Sequence, residues 1–270
     1  MFVHCNNARV VTVAEIAAQA KLEQDPARLG DLASHRSPSV RIAVAENRSA
    51  PDEAIEGLLK DPNEVVRLSA AGNLADRPRL QKVALNSPDK SVRSILAYTF
   101  ARRDDRSLPY DVQAALSRDE FSETRQNLAG TTNYIDLFEA LLQDADPKVR
   151  GICARNPRIT RSQMETLVTD PIKRVRANAA ALGLQFPDDE QLLRLARDRS
   201  ADVRWAVLLR ADRPREAIEI IAQDADEINR RHAQSALIDV HNIMTELYIS
   251  QIRQDRERAR NVQPFQPAPV

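Results

Sequence analysis

The chain has 270 residues, 43% of them apolar and 29% charged, and its formal net charge is zero. That balance supplies a core and a solvated surface, and it excludes a global field drawing the chain to nucleic acid or an anionic membrane. With 6 glycines and 4% aromatic residues, the composition favours helices over sheet.

Residues 1–10 contain His4 and Arg9 and no apolar stretch of signal-peptide length. No apolar run reaches the length of roughly 18 residues that a membrane span needs, so a cytoplasmic protein that keeps off the membrane is expected. Residues 13–20 and 27–34 read as a pair of capping helices, which closes an N-terminal segment over residues 1–34.

From residue 35 a dipeptide recurs. It stands at Val40-Arg41, Val66-Arg67, Val92-Arg93, Val149-Arg150, Val175-Arg176 and Val203-Arg204, with Thr124-Arg125 and Asn229-Arg230 in the same rhythm. The steps between successive arginines are 26, 26, 32, 25, 26, 28 and 26 residues. A period of this size marks a stack of small supersecondary units, each leaning on its neighbours. With the arginine as position zero, position −1 is Val in six repeats, and position +3 is apolar throughout (Val44, Ala70, Leu96, Leu128, Cys153, Ala179, Val207, Ala233). Those positions are four apart, so they share one face of a helix A. Position +4 is Ala in the first six repeats, which lets a neighbouring helix approach closely.

Six residues before the arginine stands Asp61, Asp119, Asp144, Asp170, Asp198 or Asp224, with His35 and Ser87 in the remaining repeats. Asp or Ser followed by Pro, as in Asp61-Pro62 and Asp170-Pro171, predicts an N-cap with Pro in the first turn. Helix A then stops at a turn bearing Pro51, Pro78, Pro109, Pro157, Pro187 or Pro214. A helix B follows with its own stripe, such as Ile55, Leu58 and Leu59, or Leu137, Leu141 and Leu142. The fourth repeat departs from the pattern: Thr124 replaces Val, and Gly130-Thr131-Thr132 replaces the proline turn. The extra residues 104–107 lengthen the turn before it, read as a wrinkle inside one array over residues 35–240. Residues 241–260 read as a capping helix. Residues 261–270, with three prolines and no periodicity, are expected to be disordered.

The best repeats, Asp144 to Pro157 (DADPKVRGICARNP) and Asp61 to Asn73 (DPNEVVRLSAAGN), resemble the HEAT-like α-solenoids, in particular the leucine-rich repeat variant. The resemblance covers about residues 27–240. It implies an all-α, right-handed solenoid of about eight two-helix repeats with helical caps. Such arrays serve as protein-binding scaffolds, as DNA-repair glycosylases and as helpers of other enzymes, so the resemblance does not choose a function. An iron–sulfur cluster on a separate Cys-rich segment, described for one variant-repeat protein, does not carry over, because this chain lacks the cysteines.

Three groups of residues are candidates for binding. The repeat arginines form either a ladder for a polyanion or, as favoured, an inter-repeat ladder pairing with carboxylates and helix-end carbonyls. The turns between helices A and B carry Arg48, Arg77, Arg79, Arg102, Arg103, Arg106, Arg155, Arg158, Arg161, Arg210, Arg213 and Arg215. In a stack these would line one basic rim, although cations at helix C-termini are also what the helix dipole favours. Trp205, the only tryptophan, holds the variable position +1 and is a candidate aromatic anchor.

The histidines and cysteines offer less. His232 and His241 do not share a helical face, Cys153 falls at the apolar +3 place, and no disulfide, metal site or cofactor is expected. Arginine outnumbers lysine 33 to 6, a bias that fits a GC-rich, bacterial genome or planar recognition of anions. No catalytic motif is present. The expected function is that of a monomeric, non-catalytic scaffold gripping a protein or peptide on its concave helix-B face. DNA binding, or kinship with HEAT-like glycosylases through the basic rim, is the alternative.

Overall fold

The computed structural model describes residues 11–99, 108–238, 251, 254 and 264–269. The chain divides into two compact units, Met1–Thr99 and Phe100–Val270. The division falls in the longest interval between repeat arginines, within the array read over residues 35–240.

The described residues form seventeen α-helices. The first unit holds α1 (Val13–Leu22), α2 (Pro26–Leu32), α3 (Pro38–Glu46), α4 (Asp52–Leu58), α5 (Glu64–Ala71), α6 (Pro78–Leu85) and α7 (Lys90–Thr99). In it α1, α3, α5 and α7 pack in succession as one layer, with α2, α4 and α6 as the other. The second unit holds α8 (Tyr110–Leu116), α9 (Ser122–Ala129), α10 (Ile135–Leu142), α11 (Pro147–Ile152), α12 (Arg161–Val168), α13 (Lys173–Leu182), α14 (Asp189–Leu195), α15 (Ala201–Leu208), α16 (Arg215–Ile221) and α17 (Glu227–Ile238). Here α9, α11, α13, α15 and α17 form one layer and α10, α12, α14 and α16 the other. Helices this short are marginal alone in water, so their stability comes from the stacking.

The buried stripe is the one the period predicts. All eight residues at position −1 are buried: Val40, Val66, Val92, Thr124, Val149, Val175 and Val203 are 0% exposed and Asn229 is 3%. The +3 residues are no more than 1% exposed, and the +4 alanines are equally covered. Each fully buried valine contributes roughly 1.5–3 kcal/mol. Residues 13–34 hold the helices α1 and α2, and a capping box at Thr12 and Glu15 starts the first. The helix expected over residues 241–260 lies, but for Gln251 and Gln254, outside the described residues.

Two expectations need correction. The aspartate at −6 is not the N-cap. Helix α5 is capped by Asn63, α13 begins after Ile172 and α15 after Ser200, two residues later than expected. Asp61, Asp170 and Asp198 instead accept the amide two residues on, at 2.8 Å each. This Asx turn delivers the chain to the helix, so Pro62 and Pro171 stand before the first turn. The C-terminal segment is also not structureless. Phe265 and Gln266 lie against Phe138 and Tyr134 of the second unit, where a half-buried ring and two backbone bonds offset the cost of ordering them.

Candidate functional site

The recurrent arginine is a structural clamp. In all eight repeats its Nη1 donates to the carbonyl at −6 of its own repeat, at 2.6–2.8 Å. Its Nε and Nη2 then grip the carboxylate at −6 of the following repeat. The pairs are Arg41–Asp61, Arg125–Asp144, Arg150–Asp170, Arg176–Asp198 and Arg204–Asp224, with Nε–O distances of 2.6–2.8 Å. In the third repeat Ser87 holds −6, and Asp89 supplies the carboxylate to Arg67 at 2.7 Å. Residue −6 is therefore a junction, its carbonyl serving its own arginine and its carboxylate the preceding one. The arginine side chains of the five bidentate pairs are 6–17% exposed. A polyanion would have to break such pairs, at roughly 3–5 kcal/mol each, so the structural reading of the ladder prevails.

The charges respond accordingly. Hydrogen bonds to the carboxylates, opposed by burial, hold the guanidinium groups of Arg41, Arg125, Arg150, Arg176 and Arg204 above the usual arginine range. Burial pushes the Asp61 and Asp198 carboxyls up, but the facing arginine and the Asx-turn amide together hold them below the usual carboxylate range. Asp224, gripped by Arg204 against the cost of burial, sits at about 2.

A second ladder runs beside the first. At +6, the Asn47 amide donates to the carbonyls of Ala20 and Glu23, both at 2.8 Å. Asn73 donates to Ala45 and Asn47, and Asn156 to Ala129 and Thr132, at 2.9–3.1 Å. Each satisfies orphan carbonyls at the end of the preceding helix A. In the seventh repeat Arg210 holds this place. Its Nη1 reaches the Ala180 and Gly183 carbonyls at 2.6 and 3.0 Å, while Asp212 neutralises it with two bonds of 2.9 Å. The signal for this ladder was the asparagine recurring at 47, 73 and 156.

The remaining rim arginines scatter. Arg77 is 12% exposed, pairs with Asp52 at 2.5 Å and donates to the Arg48 and Ala50 carbonyls. Arg79 pairs with Glu56, Arg161 with Asp188 and Glu190, and Arg215 with Glu219. Arg158 is half-buried. Arg48 and Arg155 are exposed, and among the described residues no carboxylate reaches them. Arg102, Arg103 and Arg106 lie outside the described residues. The described arginines therefore do not make a continuous cationic strip, because carboxylates of the B helices and of the turns before them neutralise Arg77, Arg79, Arg161, Arg210 and Arg215.

Trp205 and Arg213 do come together. Trp205 on α15 is half-buried and meets the exposed His232 of α17 edge to face, with ring centroids 4.8 Å apart. These rings, with Leu208, Leu209 and Arg213, line an open cavity of about 230 Å3. Leu209 is 64% exposed at its edge. Arg213 donates Nη1 to the Arg210 carbonyl, but its buried Nε has no partner among the described residues. Burial pulls this guanidinium below the usual arginine range, with Asp212 opposing the shift. A cleft with an aromatic wall, an aliphatic lip and a half-buried arginine in its lining offers an anchor point for an apolar side chain beside a carboxylate or carbonyl.

Cys153 is 0% exposed, and burial pushes its thiol well up, as expected of an inert core sulfur. Cys5, His4 and His241 lie outside the described residues. Among the described residues no group of three or more His, Cys, Asp or Glu side chains could hold a metal ion, and no helix is long and apolar enough to cross a membrane.

No family model matches the sequence, and no curated protein matches it. Solved structures do. One is a leucine-rich repeat variant described as having a novel repetitive protein structural motif: 22% identity, 84% of this chain and 87% of that chain covered, TM-score 0.54. Another is the YibA protein of Escherichia coli: 19% identity, 93% of this chain and 98% of that chain covered, TM-score 0.49. At 22% identity the first likeness is one of fold alone. Stacked helix pairs, a buried Val stripe and an arginine ladder thus give this chain the helical repeat fold of the leucine-rich repeat variant.

Proposed function

We propose that the chain is a non-catalytic scaffold that holds a protein partner, with the cleft between α15 and α17 as its anchor point. A helical repeat fold is compatible with such a role. The observation carrying the reading is the cleft itself, where Trp205, the exposed Leu209 and Arg213 converge. At about 230 Å3 it is smaller than the clefts of about 300–1,000 Å3 that hold small molecules, and it suits a side chain better. The partner it fits presents an apolar residue next to an acidic one. Most of the described rim arginines are engaged with carboxylates or carbonyls, so duplex DNA at low salt should give no anisotropy change.

The test uses the full chain and a Leu209→Asp variant, which places a charge at the lip on a side chain with little folding role. Cross-linking in cells of the native host, with quantitative mass spectrometry, should identify a partner enriched on the wild-type chain. Rebinding of that purified partner should fall at least tenfold with Leu209→Asp while the melting curve stays unchanged. Equal binding to both chains would remove the cleft from the interface.

A further inference from the structure

The fourth repeat, whose turn lacks proline, carries a short extended segment. Gln266 donates its amide to the Asn133 carbonyl at 2.6 Å, and its carbonyl accepts the Ile135 amide at 3.0 Å. These bonds form a parallel bridge centred on Tyr134. The Ile135 amide is one of the orphan donors in the first turn of α10. Next to the bridge, the Phe265 ring lies on Phe138, centroids 4.7 Å apart with 31° between planes, and Phe138 is 0% exposed beneath it.

The receiving surface is held by groups other than the segment it carries. The Gln113 side chain, 3% exposed, donates to Asn133 Oδ1 at 2.9 Å and to the Leu108 carbonyl at 2.8 Å. The Tyr134 amide donates to Thr132 Oγ1. The Tyr110 ring stands edge-on to Tyr134, and its hydroxyl donates to Asp136 at 2.6 Å. In other repeats Pro51, Pro109 and Pro214 occupy the place of Tyr134 at the start of helix B. The segment itself engages through one ring and the two backbone groups of one residue. Pro264, Gln266, Pro267 and Pro269 are exposed, and the prolines favour an extended chain with little entropy left to lose.

We propose that the face formed by Asn133, Tyr134, Ile135 and Phe138 is a recognition site for extended peptides bearing an aromatic residue between prolines. The chain's own Pro264-Phe265-Gln266-Pro267 occupies it as an intramolecular stand-in. The ring fills the apolar position over Phe138, and the following residue must keep its amide to bridge Asn133. The partner's peptide and the chain's own segment compete for one place, so the segment sets the threshold for binding. The site is separate from the Trp205 cleft and does not depend on it.

A fluorescent peptide with the sequence of residues 261–270 tests this against the full wild-type chain and a full Phe265→Ala chain, read by anisotropy. A tethered segment competes at an effective concentration of about millimolar. The peptide should therefore bind the Phe265→Ala chain at least tenfold more tightly than the wild type. A peptide carrying Phe265→Ala, and one carrying Gln266→Pro, should each lose at least tenfold against the Phe265→Ala chain. Equal affinity for the two chains, no binding to either, or full binding by the Gln266→Pro peptide would each overturn the proposal. The melting curve of the Phe265→Ala chain, expected within a few degrees of wild type, shows that the comparison is between folded proteins.

Discussion

Replacing Arg176 by Met probes the arginine ladder at its most covered rung. The Arg176 side chain is 6% exposed and Asp198 10%. The guanidinium grips the carboxylate at 2.6 and 2.8 Å and donates to the Asp170 carbonyl at 2.8 Å. Methionine retains much of the aliphatic stem but removes these bonds, with a fourth to the Pro171 carbonyl, and strands a carboxylate. Breaking a buried pair by removing one partner costs roughly 3–5 kcal/mol. Asp198 keeps the Ser200 amide at 2.8 Å, so the lower end applies, about 3 kcal/mol. A double-mutant cycle with Asp198→Asn should return a coupling of about 2 kcal/mol, because the neutral amide leaves less to strand. Urea unfolding followed by far-UV circular dichroism measures each corner. Hydrogen exchange should place the loss in α13 and α15, since stacked repeats couple mainly to their neighbours. A single-variant cost under about 1 kcal/mol, or a coupling near zero, would refute the view that this arginine clamps the stack.

Arg210→Ala should cost about 2–4 kcal/mol in urea unfolding, because it leaves the Ala180 and Gly183 carbonyls without their donor and removes two bonds to Asp212; the exposed Arg155→Ala should stay within about 0.5 kcal/mol. Stability should fall as pH drops below about 4: Asp224 sits at about 2 against an ordinary 3.8, so its contribution is present above the unfolded value and lost as pH falls through the folded one. An acid titration of the melting temperature checks this, and Arg204→Met should flatten that part of the curve. Gly30→Ala and Gly57→Ala each meet open space in a helix and should raise stability by about 0.5–1 kcal/mol. Gly183→Ala would drive its Cβ into the Phe186 carbonyl oxygen and should cost at least about 2 kcal/mol by the same assay.

The sequence by itself determined the helical repeat, the buried face and the presence of a clamp. A helix places residues four apart on one face, so the company of −1 and +3 exposes the stripe without coordinates. The eight residues at −1 lie inside for that reason. Tertiary structure alone decided where the polar groups went. Position −6 reads locally as an N-cap, yet stacking sets its carboxylate within 3 Å of the previous repeat's guanidinium, and a distance between repeats leaves no trace in local periodicity. Arg210 read as one more rim cation until stacking placed it on the carbonyls that asparagine takes in other repeats. The segment around Phe265 has no period at all; its place depends on a donor, an acceptor and a ring that the fourth repeat presents only once folded.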